Sequence, residues 1–394
     1  MIKKLTKGVV VSVFALAIVA CGNKDLPAII SDFGTYDSGI CEPGTIAQGG
    51  ACISLIGASP CKNPIHTGYD GDSQCLEAPS IEEGMHMHYG PANYDDPIEM
   101  SNFTINPGEE LVDCMFTKTP NTSDIHMNNY HVRLRPGTHH MITYVQPGDI
   151  PNSVVPEACN QASSFTFLVG ATAPNTDISA TGQNSPIEYD GAAMLIKAKS
   201  QAAIQMHFIN ISDAARLKEG WINALYFPDD KVKMEINPIT WIGGLGMNIL
   251  PQTKVITPGG GASSCTIPAG QELNIITVVG HVHSHTERVA AFIDRNDGKG
   301  RHKFYEEYNW EDPSFIYYNS ATTNSQPDPV TKTVGGDSGQ LVAHPGDVMS
   351  WECEVNNDSD NLTLGFSDKA LTGEMCNVFG VYGPGTKPWS CFSF

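Results

Sequence analysis

Histidine carries most of the chemical signal in this chain. His281 and His283 end an apolar run at 273–284, and residues two apart on a strand point to the same face. Such an H-x-H pair can present two imidazoles to one metal ion; it can equally be the polar side of a half-buried strand. His207 stands in an alternating run at 202–209. There Ala202, Ile204, Met206 and Phe208 share one face, and Gln205, His207 and Ile209 share the other. A single histidine on such a face is either a ligand or a satisfied structural group. His139 and His140 are adjacent, so on a regular strand they point apart. Both reach one ion only at a strand end or a bulge, and Pro136-Gly137 just upstream makes an irregular start plausible. Met375, beside Cys376, is either core packing or a soft, neutral thioether ligand of the kind that suits copper(I).

Other patterns are weaker. Gly336-Asp337-Ser338-Gly339 resembles the nucleophile segment of trypsin-like proteases, but no matching histidine segment precedes it, so a triad is unsupported. Asp294, Asn296, Asp297 and Gly298 look like part of a calcium loop. Position twelve would be Tyr305 rather than Glu, which favours a turn between two strands. The Met-His-Met-His segment at 85–88 reads as an adventitious copper binder or an exposed linker. The sequence contains no P-loop, no dinucleotide glycine fingerprint and no H-E-x-x-H.

The elements that must position these residues are strands. The chain has 394 residues, 41% hydrophobic and 17% charged, enough apolar material for sizeable cores and too much for wholesale disorder. Frequent glycine (38) and proline (26) favour turn-rich β architecture. A net charge of −20 argues against a basic nucleic-acid-binding surface. From about residue 85, short β-type runs such as HHMITYV, AAIQMHFINI, NIITVVGHVHS and NVFGVY alternate with turn clusters. Helical periodicity is weak, and DAARLKEGW at 213–221 is the best helical candidate. The expected fold is all-β: two tandem antiparallel β-sandwiches at 85–238 and 239–394, preceded by a small Cys-rich module or stalk at 22–84.

Lys3, Lys4 and Lys7 precede an apolar stretch at 8–20 that is short for a bilayer span and reads as a signal-peptide core. It ends in Ile18-Val19-Ala20-Cys21, which resembles a bacterial lipobox. The expectation is a signal at 1–21, a lipidated Cys21, and a soluble body in the bacterial cell envelope, at the outer membrane or cell surface, held to the membrane by lipid only. Ten cysteines remain, an even count that reads as up to five disulfides in an exported chain. No two are as close as C-x-x-C, which argues against zinc ribbons, iron–sulfur clusters and thioredoxin-type chemistry.

Taken in order, His139-His140-Met141, Gln205-Met206-His207, His281-Val282-His283 and Glu374-Met375-Cys376-Asn377 resemble a known set of signatures. They are the H-H-M, Q-V-H, H-T-H and E-M-C-N of the copper type II, ascorbate-dependent monooxygenases, the family of the peptidylglycine α-hydroxylating and dopamine β-monooxygenases. The resemblance covers roughly 85–394. It implies two jelly-roll-like sandwiches, each holding one mononuclear copper across a solvent-filled cleft. His139, His140 and His207 would bind the copper that stores and delivers an electron. His281, His283 and Met375 would bind the catalytic copper, where dioxygen is activated. Asn377 would contact substrate. The resemblance also implies the disulfides Cys114–Cys159, Cys353–Cys376 and Cys265–Cys391. Partners would be dioxygen, a small organic substrate, and ascorbate or another one-electron donor. Val279 and Phe379 stand where the peptide-amidating members carry an arginine and a tyrosine, which points away from a peptide C-terminal glycine as substrate. The alternative expectation is a non-enzymatic surface lipoprotein that stores, scavenges or senses copper.

Overall fold

A computed structural model describes residues 45–48, 51–54 and 67–392, except 147, 149–150, 154, 160–165, 173, 180–190, 258–262, 296–297, 299, 319–340 and 386. The chain divides into two compact units, 1–56 and 57–394. In the first, Thr45–Gln48 pairs antiparallel with Ala51–Ser54. Cys21, the signal segment and Gly336-Asp337-Ser338-Gly339 lie outside the described residues. Residues 67–84, expected in the Cys-rich module, belong to the second unit. Arg135 ties them there, donating to the Asp70 carbonyl and the Asp72 carboxylate at 3.2 and 2.9 Å.

The second unit is built almost wholly of strands arranged in four principal sheets. One orders Met234–Glu235, Ala192–Ile196, Ile125–Leu134, Gly220–Phe227 and Gly84–Tyr89, with Asn175–Ser179 added on Ile125–Leu134. It packs on a second sheet of Glu110–Lys118, Gln201–Ile209, Thr138–Gln146 and Thr166–Ala171. The third orders Ile316–Tyr317, Leu273–Val282, Cys376–Gly383, Asn237–Gly243 and Trp389–Phe392. The fourth is Thr253–Thr257, Val348–Asn357, Thr286–Arg295 and Gly300–Glu307. Pairing is antiparallel except at two edges, where Ala192–Ile196 meets Met234–Glu235 and Asn237–Gly243 meets Trp389–Phe392 in parallel. Sheet membership changes at Ile236; among the described residues no strand pairing joins the residues before it to those after.

Alternation decides which face of each strand goes where. Ala202, Ile204, Met206 and Phe208 are buried in the first core with Met127, Val132 and Ile222 of the facing sheet. Gln205 and His207 therefore point away from that core. On the third sheet Leu273, Ile275, Val278 and Val282 enter the second core with Trp241 and Trp351, while Thr277, Val279 and His281 take the other face. A bulge between Ile275 and Thr277 resets the alternation. The outer faces of the second and third sheets look at each other, and Phe167 stacks on Phe379 between them, centroids 5.1 Å apart and planes within 5°. The histidines share this meeting of outer faces.

Two local expectations change. Residues 213–221 are not helical: Arg216–Leu217 is a short strand and Gly220–Phe227 a long one. Charge placement explains it. Lys218 pairs with Asp113 and Glu219 with Arg135 in the interior, so the charged side chains that would have faced water on a helix are held inward. The α-helix that does form, Pro97–Asn102, carries legible signals: Asp96 caps the amides of Ile98 and Glu99, and Pro97 occupies the first turn. The segment at 85–88 is no exposed linker. It lies in the strand Gly84–Tyr89 with Met85 and Met87 in the core. His86 bonds Asn223 at 2.6 Å, and His88 bonds Glu219 at 2.9 Å.

Candidate metal centre

His139, His140 and His207 come together at a β-bulge. Thr138 pairs with Phe208 and His140 with His207, so His139 is the extra residue on its strand. The extra residue breaks the two-fold alternation and lets neighbouring rings turn to one side. The three ring centroids are each 5.0 Å apart. One nitrogen from each ring lies within 4.8 Å of the others. Nε2 of His139 and Nδ1 of His140 and His207 are buried with no hydrogen-bond partner. An unpaired buried polar atom costs about 1–3 kcal/mol, so three converging lone pairs fit a cation better than they fit packing. The other nitrogen of His207 meets Glu110 Oε1 at 2.8 Å, the carboxylate–imidazole pairing that orients metal ligands.

His281 lies near the end of the strand Leu273–Val282 and His283 one residue beyond it, with rings 5.6 Å apart. Asn377 is registered opposite His281 and Cys376 opposite Val282. Met375 is thereby brought to the end of the strand next to His283. Glu374 fastens this corner. Its buried carboxylate accepts from the amides of His283 and His285 at 3.2 and 2.8 Å and from the Thr286 hydroxyl at 2.8 Å. Both ring nitrogens of His283 are buried without a hydrogen bond of acceptable geometry, although the nearby Gly373 and Lys369 backbone slightly favours its charged form. The Asn377 amide is engaged inside the protein: its oxygen accepts from the Gly243 amide at 3.3 Å, and its nitrogen faces Met375 Sδ at 3.4 Å.

The two sets touch. The His140 and His281 rings are 4.9 Å apart, His207 and His283 6.1 Å, and His139 and His283 6.5 Å. Trp310 of the second half packs on His139 at 5.1 Å. The resemblance implies two centres separated by a solvent-filled cleft; here the rings of the two sets are as close as rings within one set. Further contacts draw the halves together, among them the Phe167–Phe379 stack and the Glu110 carboxylate, which accepts the Ala370 and Leu371 amides across the junction.

Burial sets the charge state. It holds His139 and His140 well below the usual imidazole range, with neighbouring histidines adding to the effect. His281 and His283 are pushed down to about 3, again by burial first and histidine neighbours second. These four rings are neutral at neutral pH, so their lone pairs are available to a metal. Burial alone would raise Glu110, but its hydrogen bonds to His207 and to the loop amides outweigh it and hold the carboxyl below its usual value. Glu374, more deeply buried, is pushed up to about 7.

A cavity of about 870 Å³ opens beside the meeting point, with His140, His281, Met375, Asn377, Tyr144 and Asp368 in its wall. Asp368 is the charged residue of that wall; no lysine or arginine is among its described residues. Burial first, and Asp368 second, raise the Tyr144 phenol to well above its usual range. The structure also makes the disulfides Cys114–Cys159, Cys353–Cys376 and Cys265–Cys391, with Cα atoms 5.1, 5.7 and 6.0 Å apart. These are the pairs the resemblance implies. Cys353–Cys376 staples the third and fourth sheets one residue from Met375. Sequence reasoning did not single out Glu110, Tyr144 or Asp368, because isolated polar residues leave no spacing pattern. The signal for Glu374 lay in the E-M-C-N segment itself. Neither protein-family models nor curated proteins match the chain.

Proposed function

We propose that this chain is a copper-dependent monooxygenase that hydroxylates an activated C–H bond of a small organic molecule. The observation that carries the reading is the convergence of five imidazoles beside a cavity whose wall includes His140 and His281, four of the five with buried, unpartnered nitrogens. His139, His140 and His207 would hold one copper, and His281, His283 and Met375 the other. Neutral imidazoles tolerate both oxidation states of copper, and the thioether favours the reduced ion. Bound copper would supply one-electron transfer and dioxygen chemistry. The balance is R–H plus dioxygen, two electrons and two protons, giving R–OH and water, with ascorbate or another one-electron donor as reductant.

The chain's own residues do the rest. Burial holds His139, His140, His281 and His283 neutral. Glu374 fixes the strand ends that carry His283 and Met375, and the Asn377 amide steadies the Met375 side chain. The cavity wall offers no cationic side chain among its described residues to grip a carboxylate, which favours a substrate without one. No helix among the described residues is long and apolar enough to cross a membrane. Attachment through Cys21, in the cell envelope, is proposed from the sequence.

The test is copper stoichiometry on protein lacking residues 1–21. Two coppers per chain, falling to about one when His281 and His283 are replaced by alanine, support the reading. Reductant-driven, substrate-dependent oxygen consumption must then be lost in Met375→Ala. Copper uptake without such turnover across a broad substrate panel moves the assignment to a copper-storing or copper-sensing protein. No uptake overturns both.

A further inference from the structure

The residue that joins the two histidine sets is Glu110, which no motif contains. It is the first residue of the strand Glu110–Lys118, registered opposite Ile209, and its side chain is 9% exposed. One carboxylate oxygen faces two elements at once. On its own side it meets His207 Nε2 at 2.8 Å. On the other it accepts the backbone amides of Ala370 and Leu371, in the loop that runs into Glu374 and Met375. Ala370 in turn receives the Ser284 hydroxyl on its carbonyl at 2.6 Å and the Ser284 amide at 3.3 Å, next to His283. One carboxylate thus touches a ligand candidate of the first set and the loop that shapes the second.

We propose that Glu110 is a positioning residue for both sets: it fixes the tautomer of His207 and clamps the 366–373 loop against the first sandwich. The chemistry follows from what an ionised carboxylate can do. It only accepts hydrogen bonds, so the 2.8 Å contact requires a hydrogen on His207 Nε2. In the neutral ring Nδ1 is then left with its lone pair, and Nδ1 is the nitrogen that is buried and unpartnered beside His139 and His140. The same oxygen, by accepting two loop amides, holds the backbone from which Glu374 and Met375 follow. Carboxylates that orient ligating imidazoles this way typically contribute 10–100-fold to metal affinity. The metal half of this inference rests on the copper reading; the tautomer and the loop do not.

The experiment uses the full chain and its Glu110→Ala and Glu110→Gln variants. Three readouts are taken: long-range 1H–15N spectra of the histidine rings in metal-free protein, amide exchange across 366–375, and Cu(I) competition with a chromophoric chelator. Wild type shows His207 as the Nε2–H tautomer, protected Ala370 and Leu371 amides, and two Cu(I). In Glu110→Ala, His207 becomes a tautomer mixture, the two amides exchange at least tenfold faster, and one Cu(I) is held about 10–100-fold more weakly. Glu110→Gln keeps an acceptor for the amides, so it preserves their protection while weakening the metal. It carries the test if the alanine variant does not fold. A wild type that binds no Cu(I) overturns the copper reading and the metal half of this assignment with it. A wild type that binds two Cu(I), with all three readouts unchanged in Glu110→Ala, overturns the Glu110 assignment alone.

Discussion

Glu374 shows how much one buried side chain determines here. Its carboxylate accepts from three backbone amides and one hydroxyl, and no cation is among those partners. Glu374→Gln keeps the size but replaces one accepting oxygen by a donating NH2, which then faces donors. Each donor left unpaired costs about 1–3 kcal/mol. The expected outcome is a loss of about 2–4 kcal/mol of stability, together with loss of copper from the His281, His283 and Met375 set. Denaturant unfolding and metal analysis check both; a variant as stable as wild type with full copper rejects this role. Legibility at this scale is uneven. The ligand candidates announce themselves by residue type, whereas Glu110 and Glu374 matter through what folding places around them. Asn377 was expected at the substrate through the resemblance. The structure engages both ends of its amide within the protein, at Gly243 and Met375, a role no spacing encodes.

Strands were the most legible feature, because period-two alternation and turn clusters are local. The bulge at His139 was legible in outline: two adjacent histidines after Pro-Gly serve one site only if the alternation breaks, and it does. The best helical candidate, 213–221, forms strands instead because tertiary ion pairs at Lys218 and Glu219 overrode a weak local pattern. At this scale the Cys353–Cys376 staple carries a prediction. It joins Val348–Asn357 to the first residue of Cys376–Gly383, across two sheets and beside Met375. Replacing both cysteines by alanine releases a loop of sequence separation 23, worth about 3 kcal/mol in the chain-entropy account. Stability is expected to fall by about that amount, and Cu(I) at the methionine-bearing set to weaken while the three-imidazole set holds. Equal weakening of both sets would mean that the staple serves the whole fold rather than the Met375 strand.

At the scale of the whole molecule, the decisive fact is that two outer sheet faces meet and bring His139, His140, His207, His281 and His283 into ring contact. No spacing in the sequence encodes this, since it depends on how two sandwiches pack. The resemblance supplied the residues but implied a cleft where the structure has contact. The contact has a titration consequence. His139, His140, His281 and His283 have folded-state pKa values below the unfolded value of about 6.5, by burial first and by one another second. Their contribution to stability is full above about pH 6.5 and is lost as pH falls toward the folded values, because the unfolded chain binds protons that the folded chain refuses. Glu374 acts oppositely. Its folded pKa is raised to about 7, so its contribution is full below the unfolded value and is lost as pH rises through about 7. Between about pH 4.5 and 6.5 four groups oppose one. At about 1.4 kcal/mol per pH unit per proton, the metal-free protein should lose stability steeply on acidification, by up to roughly 4 kcal/mol per unit. Urea midpoints of metal-free protein at three pH values across that window measure it. The dependence should flatten in a His281→Ala, His283→Ala variant, which removes two of the four groups and part of the mutual repulsion on His140. A midpoint that stays level, or rises toward acid, would mean that these imidazoles are solvated in solution and that the two sets do not meet as the structure places them.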